Sequence, residues 1–301
     1  MVYKYYSPTE YNFDALIKGY FFFSKVSKLN DPFDCSFKLI EQSKKFLQHS
    51  SLINKEKEAS DIMKQYGTCS FSRLNGNKRM WALYASNYKG FCVEYDDKQF
   101  DTPRTISWEN ENPFITDNET NKEDSPYHYM IKGDIGYVQR ELNFDDFTIC
   151  GYSERLNVGD TSIIEHSIGE CLRDNKMRDI LFARICFTKE KHSWESEEEF
   201  RLLVGNYIDF MPTSFKITTD AGYKILFHKS IVSSITIGHN FNISNLKCLI
   251  DMIEQYPNAP LYITVPGKVW NIEQKFITKE ELIDLYDKIN GWENKTITDF
   301  I

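Results

Sequence analysis

The stretch from His192 to Gly205, HSWESEEEFRLLVG, constrains this chain more than any other. From Glu197 the residue types alternate. Glu197, Glu199 and Arg201 fall on one side, and Phe200, Leu202 and Val204 on the other. A period of two is the signature of a β-strand with its apolar side on a core. The other side then carries two carboxylates and a guanidinium in a row on one rigid element. Like charges at i and i+2 repel, so the row has no stabilising value of its own. Two readings follow: a solvated strand face with Arg201 neutralising a neighbour, or a site where a positioned carboxylate does chemistry.

The rest of the chain reads as α+β. Residues 2–6 (VYKYY) predict a strand stopped by Ser7-Pro8, and 12–18 a short helix with Asn12 as N-cap and Gly19 closing it. A second, aromatic strand, YFFFS (20–24), runs into an Asn-Asp-Pro turn at Asn30 and Asp31. Residues 38–66 are helix-prone, 68–72 a strand, 78–88 a helix and 91–95 a strand, while 97–130 read as a long polar surface loop. A strand at 134–139 and a helix capped by Ser162 and Glu165 follow. Residues 231–238, 245–256 and 261–265 read strand, helix, strand, and a helical extension fills 270–301, its last helix opened by Thr278 and Glu281. With no internal repeat and no linker, residues 1–301 are expected to form a single domain.

Charge and cysteine usage exclude some functions. A net charge of −8 argues against a broad phosphate-binding surface for nucleic acid and against attraction to an anionic membrane. The 22 Phe and 18 Tyr predict a ring-rich core and pocket. The seven cysteines, at 35, 69, 92, 150, 171, 186 and 248, form no CxxC pair and several sit in apolar runs, which predicts buried reduced thiols in a cytoplasmic protein. No signal peptide and no membrane-spanning run is visible. There is no phosphate-binding GxxxxGK[ST], no HExxH, no zinc-spaced CxxC and no GxSxG. His192 is the only histidine beside the acidic strand, and reads as a surface loop residue.

What remains is a series of short words in order: YKYY (3–6), YFFFS (20–24), NDPFD (30–34), CSFS (69–72), MWALYA (80–85), GFCVEYD (90–96), WESEEEFR (194–201) and ITIGHNF (235–241). In this combination the chain resembles the bacterial family known as domain of unknown function 2971, over residues 1–265 or so. One departure is Tyr6, where that family often has arginine, so any phosphate contact made by that arginine is missing here. More distantly, the order of a strand, a short helix, an aromatic strand ending in Ser and a late Glu-bearing strand resembles the ADP-ribosyltransferase fold. That resemblance implies a mixed, mostly antiparallel split sheet with flanking helices, and NAD as substrate. It implies catalysis by Glu199 or Glu197, with Glu199 favoured as the second glutamate of an ExE pair. It also implies contacts to NAD by Lys4, Tyr5, Phe23, Ser24, Asn30, Asp31, Tyr84 and Arg201. Cleaving the nicotinamide–ribose bond develops an oxocarbenium-like centre that a fixed carboxylate stabilises.

Each of these residues has a plainer use. Phe21 to Phe23, Trp81 and Tyr84 suit packing, Asn30, Asp31 and Asp34 suit a turn, Ser24 and Ser72 suit strand ends, and Trp194 suits a hydrophobic anchor. The leading expectation is an NAD-consuming ADP-ribosyltransferase-like enzyme that modifies a cellular macromolecule, protein or nucleic acid, as a toxin or antiphage effector, with no metal. The alternatives are a nucleotide-sensing or protein-interaction module, and a phosphodiesterase using Asp34, Glu197 and Glu199 around Mg²⁺.

Overall fold

The structure, a computed structural model, describes residues 1–35, 57–58, 60–109, 112–119, 124–139, 182–268, 272–288 and 295–299. Strand β1 (Val2–Tyr6) leads through Ser7-Pro8 into helix α1 (Glu10–Lys18). Thr9, not Asn12, caps this helix: its side chain accepts the Asn12 backbone N–H, and Asn12 Nδ2 donates to Ser7 O at 2.8 Å. Gly19, at φ 73°, ends the helix in the left-handed region that a residue without Cβ adopts at low cost. Strand β2 (Tyr20–Lys25) follows.

The later elements, most of whose strands join one large sheet, follow in chain order. They are β3 (Gly67–Ser72), α2 (Lys78–Leu83), β4 (Phe91–Tyr95), β5 (Arg104–Glu109), β6 (Asn112–Asp117), β7 (Met130–Asp134), β8 (Gly136–Val138), β9 (Thr188–Glu190), α3 (Lys191–Trp194) and β10 (Glu199–Val204). The chain continues with β11 (Lys216–Thr218), β12 (Gly222–Leu226), β13 (Val232–Ile237), α4 (Leu246–Ile253), β14 (Leu261–Pro266), β15 (Ile272–Ile277) and α5 (Lys279–Lys288). Among the described residues the sheet has thirteen strands, ordered β15-β14-β13-β4-β1-β3-β10-β7-β5-β6, with β2, β12 and β11 branching from β3; β8 and β9 pair separately. All pairs are antiparallel except β13–β14, β5–β7 and β8–β9. The β13–α4–β14 crossover has the order read from 231–265.

Strand β3 is the pivot. Strand β10 pairs with its whole length, from Glu199↔Ser72 to Val204↔Gly67. Its opposite edge is shared: β1 meets it at Tyr3↔Ser72, and β2 at Ser24↔Thr68 and Lys25↔Gly67. The sheet divides between them, at Ser70. Lys4 Nζ reaches into this gap and donates to Ser70 O at 2.8 Å, giving a partner to a carbonyl that the ladder leaves there.

Directly paired residues share a face. Phe200, Leu202 and Val204 lie with Phe71 and Cys69 on the face that packs the main core, beside Phe21, Phe23, Phe91 and Tyr95 and under α1 and α4. Rings dominate there, as composition predicts: Phe21 meets Phe71 at 5.3 Å, Tyr95 at 5.0 Å and Phe227 at 4.3 Å. The second face is apolar only at its ends. Leu203, Ile131 and Ile106 pack under residues 182–187 at one end, and Tyr5 and Cys92 pack under Met80, Trp81 and Ala85 at the other. Between them lie Ser70, Ser72, Glu199 and Arg201.

Several readings change. All six residues of β10 are buried, so its charged side is not a solvated face. Glu197 is not on the strand but in the preceding 3-10 turn, Glu195–Glu197, and β10 starts at Glu199. The supposed loop over 97–130 contains the β5–β6 hairpin, and β7 begins at Met130. The helix at 78 stops at Leu83, and Ser86, Asn87 and Tyr88 all take positive φ, at 50°, 55° and 64°. The C-terminal extension begins with a strand, β15, before α5, whose cap is the Thr278–Glu281 pair as read: Glu281 N donates to Thr278 Oγ1 and Thr278 N to Glu281 Oε2. On this helix Leu282 and Leu285 are buried and Tyr286 is exposed. Cys35, Cys69, Cys92 and Cys186 are buried and free, whereas Cys248 is exposed. The helix capped by Ser162, residues 38–56 of the helix-prone stretch, Cys150 and Cys171 lie outside the described residues. No helix among the described residues is long and apolar enough to cross a membrane.

Candidate functional site

The words NDPFD, CSFS and WESEEEFR converge on one buried cluster of charges. Three local structures deliver it. In the 30–35 turn, Asp31 Oδ1 accepts the Phe33 N–H at 2.9 Å and Asp31 O accepts the Asp34 N–H, which turns Asp34 inward. Strand β9 presents Lys189, and Glu190 then caps α3 by accepting the His192 and Ser193 N–H groups. After α3, the turn Glu195–Glu197 and Glu198, at φ 40°, redirect the chain into β10.

A left-handed non-glycine residue costs on the order of 1 kcal/mol, so its surroundings must enforce it. They do so from β3 and α2. Ser72 Oγ donates to Glu197 O at 2.7 Å, the Arg73 N–H donates to Glu198 O at 2.7 Å, and Asn77 Nδ2 donates to Ser196 O at 2.6 Å. Arg79 Nη1 adds a bond to Ser196 Oγ at 2.8 Å.

Arg201 is the hub. Its two terminal nitrogens hold both oxygens of Asp34 at 2.9 Å each, in the bidentate fork that suits a guanidinium. Its Nε donates to Glu199 Oε1 at 2.7 Å, and Nη1 also reaches Cys186 O and Cys35 Sγ. Lys189 Nζ stands 2.7 Å from Glu199 Oε2 as an ion pair without hydrogen-bond alignment, 3.5 Å from Asp34 Oδ2 and 3.8 Å from Glu197 Oε2. The Trp194 ring lies 4.6 Å from that ammonium. Glu197 Oε1 accepts the Tyr84 hydroxyl at 2.9 Å, and the Glu199 N–H donates to Tyr137 OH at 2.9 Å.

Burial and neighbouring charge separate the two glutamates. Burial pushes Glu199 up, but Arg201 and Lys189 outweigh it and hold the carboxyl below its ordinary value. Asp34 follows the same logic and is held at about 2. At Glu197 burial wins over Lys189 and the Tyr84 hydrogen bond, and its pKa is raised. Lys189 and Arg201 are both raised: burial opposes their charge, but the carboxylates facing them prevail.

Of the residues named from sequence, Glu197, Glu199, Arg201 and Tyr84 meet in this cluster, with Asp34. Asn30 and Asp31 form the turn behind Asp34 rather than the cluster itself. Ser24, opposite Thr68, shares the polar face two residues along from Ser70. Lys4 lies in the gap between β1 and β2. Phe23 does not join them: its ring is fully buried in the main core, and Phe22, 37% exposed, is the exposed β2 ring on the Ser24 face. Tyr5 is buried at the far end of that face, its hydroxyl bonded to Leu74 O at 3.0 Å. Trp194 packs on Lys189. Among the described residues, no group of three His, Cys, Asp or Glu is arranged to hold a metal ion, and Asp34 and Glu199 turn their oxygens to Arg201 and Lys189.

Sequence reading missed Lys189, Cys35, Cys186 and Tyr137. Lys189 carried a usable signal, since it is flanked by Thr188 and Glu190 just ahead of the WESEEEFR word. No family model, no curated protein and no solved structure matches this chain.

Proposed function

We propose that this protein cleaves NAD at the nicotinamide–ribose bond and transfers ADP-ribose to a macromolecular acceptor or to water, as an ADP-ribosyltransferase-like enzyme. The observation that carries the reading is the position of the glutamate pair. Glu197 and Glu199 stand at the entry of the late strand β10, on the polar face of a mostly antiparallel sheet that divides beside them at Ser70. Ser70 is exposed and sits directly opposite Arg201, so solvent reaches this face next to the charge cluster.

In this reading the C–N glycosidic bond breaks and nicotinamide leaves as a neutral molecule with the bonding pair. The ribose carbon left behind carries oxocarbenium-like charge until an acceptor oxygen or nitrogen, or water, attacks and loses its proton. A fixed carboxylate lowers that barrier because its charge is already oriented. Glu197 is the better candidate for this contact. Glu199 is engaged on both oxygens by Arg201 and Lys189, whereas Glu197, equally buried, has one oxygen on the hydroxyl of Tyr84, a residue that is 38% exposed. Glu199 and Arg201 then hold the strand entry in place, and Ser24 and Phe22 offer a hydroxyl and a ring across the gap. The chain's resemblance to the ADP-ribosyltransferase fold supports a reactive glutamate at this strand entry, although by position in the ExE pair it points to Glu199 rather than Glu197.

Titration calorimetry with NAD, with a chelator present throughout, tests the reading. Saturable, metal-independent binding is the expected result. Binding that appears only with divalent metal would favour phosphodiester chemistry. No binding at all would leave the cluster as part of an interaction module.

A further inference from the structure

The charge cluster is unevenly balanced, and the imbalance falls on Glu197. Asp34, Glu197 and Glu199 supply three carboxylates, while Arg201 and Lys189 supply two cations. Arg201 is fully engaged by Asp34 and Glu199. Lys189 is therefore the cation nearest to Glu197 among the described residues, at 3.8 Å, although it sits closer to Glu199. Its side chain is 8% exposed, so water screens these contacts little. Trp194 covers the ammonium on a further side and belongs to the helix that leads into the Glu195–Glu197 turn.

We propose that Lys189 is a positioning residue: it pins Glu199 on β10 and at the same time lends Glu197 the positive charge that keeps its carboxylate ionised for the reaction. The inference rests on the assignment of Glu197 as the substrate-facing group. The other groups around Glu197 do not supply this charge as closely. Tyr84 contributes a neutral hydroxyl, Glu199 a like charge, and Arg79 a guanidinium spent on Ser196 Oγ. Asp34, in the turn, is a like charge held by Arg201 and Lys189. The direction of the Glu197 shift, upward from burial but opposed first by Lys189, agrees with this geometry.

The test is a carbon-13 titration of the glutamate side-chain carboxyls, with the Glu197 signal assigned by its loss in Glu197→Gln. In Lys189→Met the Glu197 midpoint is expected to move up by about one pH unit. Lys189→Arg should bring it back close to the parent. Removing one cation from this interior can prevent folding, so the charge-balanced pair Lys189→Gln with Asp34→Asn serves as a second variant with the same expected upward move. A folded variant lacking Lys189 whose Glu197 midpoint is unchanged overturns the proposal. The readout does not depend on NAD. The shift without nicotinamide release would uphold the role of Lys189 and count against NAD cleavage; release without the shift would do the reverse.

Discussion

Arg201 and Arg73 each bridge two carboxylates, one in a dry interior and the other at the surface. Arg201 holds Asp34 and Glu199, and all three side chains are buried, the arginine to 1% exposure. Arg73 holds Asp97 and Asp134 and stacks 4.3 Å over Phe200, but it is 30% exposed and Asp134 is 57% exposed. In water the second arrangement is screened, and its charges remain solvated if a partner is lost. In the interior each charge depends on the others, because an unpaired buried ion is costly. The same chemistry is thus structural trim at the surface and an interlocked unit beneath the polar face. Only the interior unit contains a carboxylate, Glu197, that lacks a close cation of its own.

The largest expected effect comes from breaking the interior hub. Arg201→Met leaves Asp34 and Glu199 with Lys189 as their one shared cation and should destabilise the protein by about 3–5 kcal/mol in urea denaturation. If the loss is under about 1 kcal/mol, the cluster is wetter than its burial implies.

The next effect is pH dependence. Asp34 is depressed from its ordinary 3.8 to about 2, so it contributes stability that is fully present above about pH 4 and is lost as the pH falls through 2. Glu199, also lowered, acts in the same direction. Asp34→Asn should therefore lower stability at neutral pH and flatten the acid loss between pH 4 and 2; an unchanged acid slope would separate Asp34 from the cluster. Glu197 has the opposite sign. Its raised value favours the folded state below its ordinary 4.5, and that contribution is lost as the pH rises. Glu197→Gln should accordingly be as stable as the parent, or more stable, at pH 7, as measured by its melting temperature.

Arg73→Met defines the small end of the comparison. A loss of about 1 kcal/mol or less is expected, partly from the lost stack on Phe200. A loss equal to that of Arg201→Met would erase the contrast between the two bridges.

Much of the fold was legible in the sequence because strand and turn signals are local. The words at 2–6, 20–24, 91–95 and 261–265 became strands, and Thr278 with Glu281 became a cap. The β5–β6 hairpin was missed because its Asn- and Glu-rich flanks masked an alternation in Thr105, Ile106, Ser107 and Trp108. The burial of Glu199 and Arg201 was not legible from their own strand. It depends on Asp34, 167 residues from Arg201, and on Lys189 arriving from another strand. Charge on one side of a strand reads as solvent-facing until such partners are known. Phe22 and Phe23 show the same limit: adjacent rings look equivalent in a run of three, and only the pairing of Ser24 with Thr68 decides which one faces the polar side.

The most direct measurement is nicotinamide release from NAD by the purified protein, with and without a cell lysate, for the parent, Glu197→Gln and Glu199→Gln. Release by the parent is expected, with its abolition in Glu197→Gln with the fold intact, and a loss in Glu199→Gln accompanied by a lowered melting temperature. Release that persists undiminished in a folded Glu197→Gln protein would contradict the role given to Glu197.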